Sequence, residues 1–359
     1  MKIFLLLIFL LPIHNLWCQF EVTFTAPKLG PGSETLEALL AAEAQTALSA
    51  VDDMINTGFS KPLISRSMAR ALLGSGSGMP FSTYSKSSHV WLSLGARAGV
   101  WAEPLDLSWL DTLPEMKLED DHPVGAGVQP LLVEAGFAFP WLQELGLTLN
   151  GGAFEGIILG YSFRSITGGG DIQWKTLSPQ SWGSLWKWSG LEVGLGGAWS
   201  ENSVTTLAQV ARITQYFPLD IDGPGPFPAY QVEIWVEPAV DVSLVTQGWQ
   251  TRAWLSTGLE FVEVIGLTLG GGWVYGEGWT RLGIKSDVIL NVEGTVGGLI
   301  ETPGRLAIAG NLEMARVIQT SPFGFLSLDF SVGGYTLHIP VVYTYPSGLS
   351  FTLSFGIQL

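Results

Sequence analysis

His338 is the residue best placed to do chemistry, because an imidazole can take a hydroxyl proton when a third group orients it. Ser327, Asp329 and Ser331 precede it closely, so a serine-histidine hydrolase can be written down from residue types alone. No motif fixes their geometry, and a polar histidine on the inner side of a strand is the plainer account. Glu119, Asp120, Asp121 and His122 form the densest polar cluster. Such a cluster can bind a divalent cation or activate water, yet charge runs of this kind are ordinarily solvated loops. Asp220, Asp222 and Gly223 resemble part of a calcium loop without its remaining ligands. The run Gly-Ser-Gly-Ser-Gly at 74–78 reads as a linker, since no Gly-Lys-Ser/Thr follows it. The expectation is a protein with no catalytic residues, no metal and no cofactor.

The elements that would carry these residues are strands. Of 359 residues only 14 % are charged while 47 % are apolar, with 45 Gly and 15 Trp; about 25 % charge is usual in a soluble domain. The net charge of −15 opposes binding to phosphate backbones, so no nucleic-acid partner is expected. Lys2 followed by the apolar run Ile3 to Ile13 reads as an export signal over residues 1–18. Cys18, the single cysteine, is then either removed with the signal or kept as an acylated first residue.

Between Ser33 and Asn56 the residues Leu36, Leu40, Ala47, Val51 and Ile55 recur at helical spacing. Pro62 opens a second helix, with Gly74 as a stop. Residues 19–87 therefore read as an N-terminal helical plug of the lumen or a periplasmic segment docked at its mouth. From Ser88 onward the period becomes two. In the last segment Leu349, Phe351, Leu353, Phe355, Ile357 and Leu359 alternate with Ser350, Thr352, Ser354, Gly356 and Gln358. Similar runs lie near 90–101, 129–139, 145–152, 156–163, 168–175, 230–237, 239–246, 251–259, 264–275, 279–286, 305–315, 324–332 and 335–345. This spacing suits an all-β fold of about 14 antiparallel strands. Long connections fall at 102–128, 176–188 and 212–229.

The polar side of these strands decides between a sandwich in water and a barrel in lipid. It is mostly Gly, Ser, Thr, Ala and Asn, too poor in charge to face water without exposing apolar patches. A closed transmembrane barrel resolves this, with apolar side chains outward and every backbone amide paired around the ring. Inner glycines such as Gly194, Gly196, Gly270 and Gly272 would let strands coil tightly. Ten tryptophans, among them Trp91, Trp101, Trp174, Trp199, Trp254 and Trp273, fall near strand ends more often than mid-strand, as interfacial girdles demand, although each taken singly is as readily core packing. A secreted or lipid-tethered β-sandwich is the competing architecture.

An export signal, repeated amphipathic strands and a closing segment that alternates to the C-terminus resemble the outer-membrane β-barrel proteins of diderm bacteria over residues 88–359. The resemblance implies recognition of residues 349–359 by the barrel-assembly machinery and a partner in outer-membrane lipid. The usual terminal aromatic is replaced by Leu359, although Phe351 and Phe355 hold the matching alternate positions. Helices ahead of a barrel of this size also resemble the long-chain fatty-acid channels, whose N-terminal hatch fills the lumen. That family's Asn-Pro-Ala element is missing, the nearest segment being Asn56-Thr57-Gly58-Phe59.

These readings give a passive channel or transporter for small solutes, hydrophobic ones among the candidates. Glu192, Glu233, Glu293 and His338 are its expected lumen-lining residues, and Leu36, Leu40 and Val51 the plug face. Lumenal acids favour cations and a greasy plug favours apolar cargo, so the solute stays open. A structural or adhesive scaffold for surface loops, without a pore, is the other function these elements allow.

Overall fold

The computed structural model describes residues 19–25, 28–29, 38, 62–76, 90–102, 124–139, 144–158, 161–209, 213–219, 230–236, 239–293, 300–302 and 304–358. The signal segment, the acidic cluster at 119–122 and the plug face Leu36, Leu40 and Val51 lie outside the described residues. In chain order the elements are β1 (Gln19–Thr25), β2 (Lys28–Leu29), α1 (Pro62–Gly76), β3 (Val90–Ala102), β4 (Val124–Ala138), β5 (Leu145–Ile158), β6 (Tyr161–Leu177), β7 (Gln180–Trp182) and β8 (Trp186–Gln209). They continue with β9 (Ile213–Leu219), β10 (Tyr230–Val236), β11 (Ala239–Phe261), β12 (Ile265–Glu293), β13 (Ile300–Thr302), β14 (Gly304–Val332), β15 (Tyr335–Thr344) and β16 (Gly348–Gln358).

One sheet takes fourteen strands, and ten of them close on themselves in the order β14-β15-β16-β3-β4-β5-β6-β8-β11-β12 and back to β14. The registers given for this ring are antiparallel. An all-β barrel of about 14 strands was the expectation; the sheet has that number, and the ring uses ten. Gaps between the expected runs contribute to the difference. Residues 247–250, 276–278 and 316–323 continue as strand within β11, β12 and β14, and at Gly276 a Cβ would lie 2.6 Å from the Trp249 carbonyl, a close approach of neighbouring backbone rather than a turn.

The chain divides into two compact units. The larger, residues 53–208, 241–282 and 314–359, holds the ring and α1. The smaller, residues 1–52, 209–240 and 283–313, pairs β1 with β14, β9 with β10, and β10 with β12. At 29 residues each, β12 and β14 have more residues than one tilted crossing of a bilayer uses.

The ring is inverted relative to a soluble fold. Along β16, Leu349, Phe351, Leu353, Phe355 and Ile357 are exposed, whereas Ser350, Thr352 and Ser354 are buried. Leu92, Leu94, Ile172, Leu195, Leu255, Leu269 and Leu326 continue the exposed apolar belt around the other strands. Water could not tolerate so continuous a greasy surface, and hydrocarbon requires it. β15 and β16 have 10 and 11 residues, the length of one tilted crossing. Tyr335 and Tyr343, both exposed, bracket β15 at interfacial positions. Among the described residues no helix is long and apolar enough to cross a membrane; the crossing is made by strands.

The tryptophans divide between the two faces. Trp174, Trp199 and Trp273 face outward, while Trp91, Trp101 and Trp254 are buried inside, so both readings open to a single tryptophan, girdle and interior packing, occur. The buried rings lie over glycines of neighbouring strands: a Cβ on Gly194 would fall 2.1 Å from the Trp254 ring, and one on Gly136 1.7 Å from Trp91. Gly194, Gly196 and Gly270 thus accommodate a neighbour's large side chain, where coiling was the expected reason.

Candidate functional site: the lumen of the ring

The buried face of β3 and its neighbours builds a polar network from register partners. Arg97 lies opposite Thr352 of β16 and Gln129 of β4, and donates to both, from Nε at 3.2 Å and from Nη1 at 3.4 Å. Its Nη2 is 3.6 Å from Glu134 Oε1, and Glu134 accepts from Ser93 at 3.2 Å. Gln129 Nε2 then donates to Ser200 Oγ at 2.8 Å, and Ser200 meets Thr167 at 2.9 Å. Arg97 and Gln129 share this face with Glu134 because β4 slips register near Pro130, where a proline without an N–H costs no ladder bond. A second pair, Asp171 with Arg252, is equally buried, and Arg252 stacks 5.3 Å from the Trp254 ring centre.

Buried charges of this kind are tolerated only when paired and hydrogen-bonded. The lumen satisfies that condition by matching arginine to carboxylate on facing strands. It is not uniformly hydrophilic, however. Trp254, Val274, Phe323, Phe325 and Val342 form an apolar cluster inside the ring, where the sequence pattern predicted small polar side chains.

Helix α1 packs against the inner side of β3 and β4. Pro62, at its first position, has the φ a helix start needs, and the chain remains helical to Gly76, two residues beyond the expected stop at Gly74. Ser67, Ala69, Ala71, Leu72, Leu73 and Ser75 are buried. Its seat is bare backbone: a Cβ on Gly125 would lie 2.0 Å from the Ser67 carbonyl, on Gly127 2.9 Å from Leu72 Cα, and on Gly99 2.8 Å from the Ser75 amide. Across the lumen, Gly248 of β11 and Gly278 of β12 face Leu73, at 2.9 and 3.4 Å by the same construction. One short helix therefore touches both walls. Eight strands leave room for side chains alone; ten strands with five glycines turned inward admit a helix as well.

Of the expected lumen-lining residues, Glu192 and His338 are buried on the inner face of the ring. Glu233 and Glu293 are register partners of each other on β10 and β12 and belong to the smaller unit. His338 does meet Ser327 and Asp329, since Asp329 is its register partner. Both approach the same nitrogen, Nδ1: Ser327 at 3.1 Å, with Asp329 in close contact, while Ser327 also donates to Asp329 at 3.4 Å. A hydrolytic triad needs the serine and the carboxylate on opposite nitrogens, so this trio fixes an imidazole without activating a hydroxyl. Among the described residues no three or more His, Cys, Asp or Glu side chains are arranged to hold a metal. Arg97, Glu134, Asp171 and Arg252 were not singled out from the sequence. Their only signal was a charged residue at a position whose neighbours in the period-two pattern are small and polar.

A closed antiparallel ring with an apolar outside and a paired, polar inside defines an outer-membrane β-barrel protein. The chain belongs to the Lsa36-like family, whose profile it matches over residues 18–359. No curated protein matches. Solved structures that resemble it include the CymD monoaromatic hydrocarbon channel, at 9 % identity over 82 % of this chain and 97 % of that one, TM-score 0.26. The translocator domain of the autotransporter NalP from Neisseria meningitidis matches at 9 % identity over 87 % and 96 %, TM-score 0.24. A Pseudomonas aeruginosa FadL homologue matches at 8 % identity over 82 % and 98 %, TM-score 0.23. At these scores the likeness adds nothing to the strand order itself.

Proposed function

We propose that the protein is a passive outer-membrane channel for small solutes whose lumen is closed by α1. The observation that carries this reading is the seat of the helix. It rests on glycine backbone at Gly99, Gly125 and Gly127 and faces Gly248 and Gly278, so it fills the ring as a separate body and no strand pairing is lost if it leaves. The wall behind it is hydrophilic, and the apolar cluster around Trp254 and Phe325 offers an adjoining surface to a hydrophobic solute. We place the rim with the tight turns at 262–264 and 333–334 on the periplasmic side, following the usual asymmetry of such barrels.

Liposome swelling with sugars, amino acids and fatty acids tests the channel and its cargo together. The gate is tested by a disulfide. A Cβ on Gly278 would lie 3.4 Å from Ala69 Cβ, near the separation a disulfide requires, and the only native cysteine is Cys18. The pair Ala69→Cys with Gly278→Cys should block solute entry when oxidised and restore it on reduction. Equal swelling in both states overturns the gate.

A second reading, a scaffold without a pore, is favoured by the complete burial of Gln129, Glu134 and Asp171, which shows a lumen filled at that level. Absence of conductance steps in planar bilayers, with and without the locked helix, would establish it.

A further inference from the structure

The rim that carries the turn between β11 and β12 holds a pocket that the channel reading does not use. Its lining includes Ser189, Glu260, Glu263, Thr268, Asp329 and Ser331, around a cavity of about 20 Å³, the space of a water-sized group, that opens at the rim. The turn is fixed in place. Val262 and Glu263 have φ of 53° and 60°, a region a β-branched residue rarely enters. The Val262 N–H donates to the Leu185 carbonyl at 2.8 Å, and the Ser331 N–H donates to the Val264 carbonyl at 2.7 Å. Glu263 is thereby held beside the pocket by backbone bonds from its neighbours to the β7–β8 turn and to β14.

Two polar groups in this lining are buried and unused. Glu260 is 6 % exposed and Ser189 1 %, yet Glu260 Oε1 and Ser189 Oγ make no hydrogen bond among the described residues. Leaving such acceptors unpaired is costly. The other oxygen of Glu260 accepts from Lys187 at 3.4 Å, which leaves Oε1 over. Acids also outnumber bases around it: Glu192, Glu260, Glu263 and Asp329 stand near Lys175 and Lys187.

A ligand suited to these groups is small, cationic and rich in N–H donors. An alkylammonium group answers all three, carrying three N–H donors on one charged centre. A metal ion is the other possibility, but no three carboxylates or histidines among the described residues are arranged to hold one. We infer that this pocket binds a protonated primary amine, its ammonium donating to Glu260 Oε1 and Ser189 Oγ while Glu263 and Asp329 supply balancing charge. The inference stands whether or not the lumen conducts.

The test is calorimetric titration of the full-length protein in detergent micelles with methylammonium chloride at constant ionic strength. Saturable binding of one equivalent is expected, at least tenfold tighter than tetramethylammonium, which has the charge and no N–H. Glu260→Gln should weaken it at least tenfold, and Ser189→Ala severalfold, in line with hydrogen bonds to charged groups. Retention of the heat-modifiable band on a gel establishes that each variant is folded; should Glu260→Gln fail it, Ser189→Ala carries the comparison. Equal affinity for tetramethylammonium, binding unchanged in the folded variants, no saturable heat, or calcium that saturates the site without competition from methylammonium would each overturn the inference.

Discussion

Asp171 of β6 reaches Arg252 of β11 across the intervening β8, at 2.6 Å, over the bare backbone of Gly196. A Cβ at Gly196 would lie 1.7 Å from the Asp171 carboxylate oxygen. A glycine on one strand thus permits an ion pair between its two neighbours, inside a wall where neither charge meets solvent.

Breaking that pair should be expensive, because a lone charge is left in the lumen. Arg252→Ala should cost about 3–5 kcal/mol of stability, while replacing both members with apolar residues of similar volume should cost less than either single change. Urea unfolding from lipid vesicles, read by tryptophan fluorescence, measures the difference. Gly196→Val should mimic the single break by displacing Asp171.

The helix seat gives a second prediction, in a different observable. Gly125→Val places side-chain atoms on the Ser67 carbonyl, so α1 should leave its seat while the ring still forms. Liposome swelling should increase and protease should cut near residues 62–76, with the heat-modifiable band retained. Unchanged swelling together with unchanged proteolysis would show that α1 can shift and remain.

The outer face predicts depth dependence. Leu353 lies at the middle of β16 and is exposed, so Leu353→Arg should destabilise the vesicle-inserted barrel by about 2–4 kcal/mol. The same substitution at Tyr343, near the interface, should cost about 1 kcal/mol or less. Equal costs at the two positions would contradict a lipid-facing belt with its centre near Leu353.

The last strand closes the ring, because β16 pairs with both β15 and β3. Removal of residues 349–359 should abolish the heat-modifiable species and leave two unpaired edges. We also expect this segment to be read by the barrel-assembly machinery. Phe355→Ala with Phe351→Ala should therefore reduce insertion in cells more than folding into vesicles in vitro, a comparison made by quantifying the folded band in each case.

Much of the wall was legible as sequence. The alternation at 349–359, the run 335–345 and the polar position of His338 follow from a period of two and a choice of solvent. The ten-strand ring was not, since glycine and proline at 248, 276, 278 and 322 carry the same signal in a turn and in a crowded curved strand. Nor were the partners of Arg97 and Arg252. Glu134 and Asp171 stand 37 and 81 positions away from them in the chain, and residue type says nothing about which strands become neighbours. Which tryptophans turn inward, Trp91, Trp101 and Trp254 among them, stayed open for a related reason: a tryptophan near a strand end serves an interface or a lumen equally well.

Composition and periodicity by themselves determined that this chain is built of paired strands and favoured lipid over water around them, because a charge-poor polar face leaves no surface suited to water. Only the tertiary structure decided how the lumen is filled. The seat of α1, the ion pair over Gly196 and the acidic pocket at the rim each depend on side chains from strands distant in sequence, and on glycines whose use is visible only once a neighbour occupies the space.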